Sequence, residues 1–168
     1  NRDRLKDNMW GYDRHTDQTV NIYSAFLQNE WKNERWSILV GGRLDKHNMV
    51  DNIIFSPRAN LRFNPTQNIN LRLSYSSGFR APQAFDEDMH IENVGGTVAM
   101  IERTKNLKEE KSQSFSASAD IYHRFGAFQT NFLIEGFYTK LTDVFVLGEP
   151  YNRGDGVLVK LRSNGPGA

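Results

Sequence analysis

Two-residue alternation of apolar and polar side chains runs through most of this chain and limits its fold more than any other feature. A period of two sends successive side chains to opposite faces of an extended strand, so each such segment has one greasy and one wettable side. From Gln67 to Ser77, Ile69, Leu71, Leu73 and Tyr75 share one face, while Asn68, Asn70, Arg72, Ser74 and Ser76 take the other. Phe55, Pro57, Ala59, Leu61 and Phe63 likewise oppose Ser56, Arg58, Asn60 and Arg62, with Pro57 requiring an unpaired ladder position or a bulge. The scheme recurs over Ser112 to Phe125 and over Phe128 to Thr139, where Leu133 and Phe137 blur the polar face. It is less pure over Thr19 to Trp31, Trp36 to Lys46, and a last strand beginning near Gly156. The expectation is an all-β, antiparallel up-and-down meander of about seven strands.

The connections alternate in length. Lys32 to Arg35, Asn64 to Thr66 and the corner at Gly126 are tight, whereas 1–18, 78–111 and 147–155 are long and polar, and His47 to Asn52 is modest. Short turns on one rim and long loops on the other are the layout of an outer-membrane barrel. Trp31, Trp36, Phe63, Phe125 and Phe128 flank the tight turns, as an interfacial aromatic girdle requires. The strands, at roughly ten residues or more, are long enough to cross a bilayer tilted. Their polar face is mostly Ser, Asn, Gln and Arg, a wet-lumen composition. A soluble β-sandwich also alternates inside and outside, but its water face carries Lys and Glu in quantity. Two readings therefore stand: a partial wall of a transmembrane β-barrel, or a self-contained sandwich for cell-surface adhesion or glycan binding.

Composition removes other classes. Lys plus Arg (21) nearly cancels Asp plus Glu (20), so a net charge of +1 gives no electrostatic reason to expect nucleic acid. With no Cys there is no disulfide framework, thiolate metal site or Cys nucleophile. No apolar run approaches the length of a transmembrane helix, which says nothing about crossing with strands. Asn1 to Asp7 lacks the pattern of a signal peptide and Arg162 to Ala168 breaks off without a closing strand, so 1–168 reads as a piece of something longer.

Candidate sites cluster in the longest connection. Asp86, Asp88, His90 and Glu92 share one face if extended, a donor set a metal accepts, although a solvated acidic loop is the favoured reading and no metal is expected. Arg80 at a strand exit is placed to meet an anionic ligand, with Phe79 and Phe85 available to stack on a flat one. The structural alternative has Arg80 pairing with loop carboxylates and Pro82 ending the strand. Gly95-Gly96 and Gly154-Asp155-Gly156 lack the phosphate-loop spacing. His15, His47, His90 and His123 are scattered, and no nucleophile-elbow or zinc-protease motif occurs. No catalytic residue, cofactor or enzyme activity is expected, and His123 beside Arg124 reads as rim packing.

Leu73 to Asp88 runs Leu-Ser-Tyr-Ser-Ser-Gly-Phe-Arg-Ala-Pro-Gln-Ala-Phe-Asp-Glu-Asp and resembles the strand end and loop start of TonB-dependent outer-membrane receptors, whose barrels often carry Tyr-Ser-x-Gly-Phe-Arg-Ala-Pro there. Asn106 to Ser112, Asn-Leu-Lys-Glu-Glu-Lys-Ser, is similar to the Asn-Leu-Lys-Pro-Glu-x-Ser that opens the next strand, with Glu109 where Pro is usual. Gly42-Arg43-Leu44-Asp45, Asn64-Pro65-Thr66 and Thr142-Asp143 add weaker matches between Thr19 and Leu161. The resemblance implies a 1–168 fragment of a large barrel in the outer membrane of a Gram-negative bacterium, facing outer-membrane lipid. It implies uptake of a scarce extracellular ligand (iron-siderophore, haem, cobalamin or an oligosaccharide glycan) with energy relayed by TonB. Nothing in the chain resembles the plug or the TonB box, so the fragment holds wall and outer loops and none of the coupling machinery. The ligand-facing residues on this reading are Phe79, Arg80, Phe85, Asp86, Asp88 and His90.

Overall fold

A computed structural model describes residues 2–9, 14–82, 92–94, 97–104, 106–154 and 157–167. Its strands are β1 (Arg2–Met9), β2 (Arg14–Lys32), β3 (Trp36–His47), β4 (Ile54–Thr66), β5 (Ile69–Arg80), β6 (Glu92–Val94), β7 (Thr97–Arg103), β8 (Glu110–Phe125), β9 (Phe128–Thr142), β10 (Phe145–Leu147), β11 (Tyr151–Asn152) and β12 (Leu158–Asn164). Seven form one sheet in the order β1-β2-β3-β4-β5-β8-β9, with every ladder antiparallel. The expected all-β meander is therefore present, but its membership differs at both ends. The strand expected from Gly156 is not its last member: β12 lies in a second sheet, β10-β12-β7-β6, with β11 also on β12. The seventh place belongs to β1, inside the stretch 1–18 read as a long connection. Since Ile22 pairs with His47 at the end of β3, Arg14 to Asn21 runs past β3 and zips with β1 as a hairpin standing beyond the rim. Across that hairpin Asp17 accepts two hydrogen bonds from Arg4, which raise the guanidinium pKa above its ordinary value, Coulombic attraction adding to them.

The tight turns follow from local chemistry. Asn33 Oδ1 accepts from Arg35 N at 2.9 Å and Trp36 N at 2.7 Å, an Asx turn that reverses the chain between β2 and β3. Phe125 pairs with Phe128 across a two-residue loop whose first member, Gly126, has φ 58°, as a type II′ hairpin needs. β4 pairs with β5 only from Arg58 onward, so Pro57, opposite Gly42 on the other side, lies off the β5 ladder as a residue without N–H must. The register slips between Phe63 and Thr66, absorbing Asn64 and Pro65 next to the turn.

The registers carry the alternation from strand to strand, so one face is apolar throughout. Trp36, Ile38, Val40 and Leu44 stand opposite Phe63, Leu61, Ala59 and Phe55. Leu71, Leu73 and Tyr75 continue through Ala119, Ala117 and Phe115 to Ile134, Gly136 and Tyr138. Among the described residues nothing covers this face: Ile134 is 56% exposed and Phe132 60%. A soluble sandwich would bury these residues, so that alternative is set aside. Aromatic rows border the band. Trp36 stacks on Phe63 with ring centroids 4.0 Å apart near the tight turns, and Tyr75 meets Phe115 at 4.8 Å toward the other rim. Ten residue steps separate Phe128 from Tyr138, about 33 Å along the strand. At a tilt of about 40° that stands about 25 Å tall, the height of an outer-membrane apolar band.

The opposite face is polar and cross-linked. Arg72 pairs with Asp120 at 3.1 Å and donates to Asn70 at 2.9 Å, Ser74 and Ser116 bond at 2.6 Å, and Ser37 donates to Glu30 at 2.6 Å. Phe26, Leu133 and Phe137 interrupt it, Phe137 being 84% exposed. Among the described residues, every buried apolar side chain lies at or past the long-connection rim: Val50, Ile54, Ala81, Met100 and Val159. Packing of the ordinary globular kind thus begins where the apolar band stops.

On the polar face Gly41 sits where a side chain would meet β2. A Cβ there would stand 2.7 Å from Gln28 Cβ and 2.9 Å from Leu27 O, so β2 and β3 would have to part. Gly41→Ala is expected to lower stability by about 1–3 kcal/mol, read as the thermal midpoint of the whole receptor in detergent. Gly42→Ala meets only the exposed Phe55 ring, which can swing aside, and should cost less.

Candidate ligand cleft on the polar face

Where β2 and β3 reach the long-connection rim, alternation brings Ser24, Arg43, Asp45 and His47 to the polar face. The end of β5 closes over them, because Ala81 joins Val50 and Ile54 in a small apolar cluster against which Phe79 packs. The result is a half-open cleft of about 610 Å³ lined by Ile22, Ser24, Arg43, Asp45, His47, Phe79, Arg80 and Ala81. Its polar floor is fixed. Ser24 Oγ donates to Asp45 Oδ1 at 2.6 Å, and Arg43 Nε donates to Asp45 Oδ2 at 2.7 Å. Asp45 and His47 are each 1% exposed, whereas the Arg43 side chain stays half in solvent. His47 Nδ1 accepts from Met49 N at 3.0 Å, which holds the ring and assigns its lone pair to that nitrogen.

The β3–β4 connection next to the cleft is tied down at several points. Lys46 Nζ donates to Asp51 O at 2.6 Å. Asn48 donates to Thr19 O at 2.7 Å and accepts from Asn21 N at 2.9 Å. Two guanidinium-bearing residues and one carboxylate leave the lining with one excess positive charge when His47 is neutral. Such a preformed, cationic and partly aromatic cleft is suited to an anionic ligand with a flat face.

Of the residues singled out in the sequence, Phe79 and Arg80 both line this cleft. Arg80 stands directly opposite Glu110 in the β5–β8 ladder and places its guanidinium carbon 5.9 Å from the centre of the Phe145 ring. Phe85, Asp86, Asp88 and His90 lie outside the described residues. Among the described residues no cluster of His, Asp and Glu is arranged to hold a metal ion. His123 packs its ring 4.1 Å from that of Phe125 beside the tight turn. Glu109, where the resembled pattern has proline, pairs with Lys111 Nζ at 3.0 Å. Ser24, Arg43, Asp45 and His47 were not candidates from the sequence, although Arg43, Asp45 and His47 repeat at a two-residue interval on a face otherwise mostly small and neutral.

Residues 3–163 match the family described as TonB dependent receptor-like, beta-barrel. No curated protein matches the chain. The siderophore receptor PirA from Pseudomonas aeruginosa has a similar structure, with a TM-score of 0.75 at 15% identity over 92% of this chain and 30% of that one. PirA from Acinetobacter baumannii gives 0.71 at 16% identity, over 99% of this chain and 29% of that one. The ferric enterobactin receptor PfeA from Pseudomonas aeruginosa, a Q482A mutant in complex with enterobactin, gives 0.69 at 18% identity, over 94% and 24%. The chain thus spans less than a third of the length of these structures, and at such identities the likeness is one of fold.

Proposed function

The chain belongs to the TonB-dependent receptor-like β-barrel family, and from that premise we propose that it forms part of the wall of an outer-membrane receptor that imports a ferric siderophore by energised transport. The family is one of receptors and transporters, and its work suits the two faces of this sheet. In hydrocarbon every strand N–H and C=O must be paired within a closed ladder, and the apolar face meets acyl chains. The opposite face then lines an aqueous interior.

The observation that carries the reading is this sidedness: an apolar band bounded by aromatic rows on one face, and a cationic cleft at the long-connection rim of the other. In it, Arg43 and Arg80 attract the anionic chelate, Phe79 contacts its rings, and Asp45 holds Arg43 in position. The structures it resembles include receptors for siderophores and for ferric enterobactin, which supports iron chelates over haem, cobalamin or glycans. The remaining partners on this reading are TonB, reached through other parts of the receptor, and outer-membrane lipid.

The test is uptake of radiolabelled ferric enterobactin by an iron-starved strain whose only such receptor is the whole protein containing this chain. Arg80→Ala is expected to weaken binding about tenfold, the loss of one charge-assisted hydrogen bond. Unchanged affinity with a lowered thermal midpoint would assign Arg80 to structure alone. Uptake of haem, cyanocobalamin or maltodextrin in place of the chelate would replace the ligand class.

A further inference from the structure

The second sheet unites two connections that the order of the chain keeps apart. β7 belongs to the connection between β5 and β8, and β12 to the one after β9, yet they run parallel, Ala99–Arg103 against Leu158–Arg162. β10 and β11 also pair with β12, and β6 with β7. This sheet closes apolar side chains away from solvent: Val159 is fully buried and Met100 nearly so. Polar contacts add to the joint. Thr104 donates to Arg162 O through both N (3.0 Å) and Oγ1 (3.2 Å), and Arg153 pairs with Glu102 at 2.9 Å. A sheet with its own interior and its own hydrogen bonds opens as a unit.

Of its attachments to the wall, three hydrogen bonds fall on one side chain. Asn164 Nδ2 donates to Asp143 O at 2.7 Å and Lys108 O at 3.1 Å, while its Oδ1 accepts from Lys108 N at 2.8 Å. That amide therefore ties the chain entering β8 to the chain leaving β9. Nearby, Phe145 N donates to Glu110 Oε2 at 3.0 Å and Gly165 N to Val144 O at 2.7 Å. Asp143, at φ 54°, turns the chain from the wall into β10. The sheet also reaches the cleft, since Arg103 donates to Pro82 O at 3.0 Å and Phe145 lies beneath Arg80.

We propose that β7, β10, β11 and β12 work as one lid, a single body fastened to the rim by Asn164, a positioning residue, and coupled to the cleft through Arg80 and Pro82. Its unity does not depend on what is transported; its place over a ligand rests on the uptake reading above. Hydrogen exchange on the whole receptor in detergent micelles tests the unity. The amides of Met100–Arg103 and Val159–Arg162 should exchange with a common opening constant. Asn164→Ala should accelerate both by the same factor, about tenfold, leaving the β8–β9 ladder unchanged. Acceleration of one strand alone overturns the proposal.

A second test replaces the register partners Met100 and Val159 by cysteine. Neighbouring strands are about 4.8 Å apart, within disulfide reach. Oxidation should link the pair and leave ferric enterobactin uptake within about twofold of the reduced receptor. Failure to link, or a loss of uptake that dithiothreitol restores, overturns the single lid. If the unmodified receptor imports no ferric enterobactin, the uptake reading fails while the exchange result still decides whether the lid is one body.

Discussion

Ile134→Lys in the whole receptor is expected to lower its stability in a lipid bilayer by about 2–4 kcal/mol, the cost of a cation near the midplane of a β-barrel's lipid face. Ile134 lies between the aromatic borders at Phe128 and Tyr138, pairs with Ala119, and shares the apolar face with Leu71 and Leu73. It is more than half exposed, so in water the same substitution would change stability by only about 0.5 kcal/mol. The size of the loss therefore reports which solvent the face meets. Asn131→Lys, three positions earlier on the opposite face, should remain within about 0.5 kcal/mol. Urea titration in phosphatidylcholine vesicles measures both. Equal effects of the two would reject the lipid-facing assignment.

Asp45→Ala should be the most damaging change in the cleft. It removes the acceptor of the Ser24 and Arg43 hydrogen bonds from the buried floor of the half-open cleft. Breaking a fully buried ion pair costs about 3–5 kcal/mol. Arg43 can rehydrate because its side chain is half exposed, so about 2–3 kcal/mol is expected here. Asp45→Asn keeps an acceptor for Ser24 and should cost roughly half as much. On the proposed uptake reading, the loss of Arg43's anchor should outweigh the extra positive charge left in the lining, and affinity for the anionic chelate should fall severalfold in both variants. Calorimetric binding to the whole receptor, with the thermal midpoint measured in parallel, separates the two effects. Weakened stability with undiminished affinity would remove Arg43 from the ligand's contacts.

The wall was legible in the sequence because a sheet with one apolar and one polar face selects side chains at the period of the strand itself. Ile69, Leu71, Leu73, Phe132 and Ile134 therefore fall on the face expected of them. β12 was not legible as a lid strand, since Val157, Val159 and Leu161 alternate as they would in the wall. Alternation cannot distinguish acyl chains from a second sheet as the apolar neighbour, and only the parallel partner β7 decides it. The hairpin at Arg2–Met9 is not legible because Arg2-Asp3-Arg4-Leu5-Lys6-Asp7 carries charge at nearly every position and shows no two-residue alternation. The cleft was half legible. Phe79 and Arg80 stood out by their motif, whereas Asp45 and His47 become part of a cleft only because Phe79 and Ala81, more than thirty positions later, fold over them.

The parallel pairing of β7 with β12 also dictates an order of assembly. Ala99 and Leu158 are 59 positions apart, and joining them in an unstructured chain would carry the entropy of that whole span. Once Lys111 has met Thr142 in the β8–β9 hairpin, only 12 residues on one side and 16 on the other remain to be spanned. The hairpin, closed by a two-residue turn, is local and fast, whereas the lid is remote and must wait for it. On loop-closure grounds the β8–β9 ribbon is expected to form first and the pairing of β7 with β12 after it.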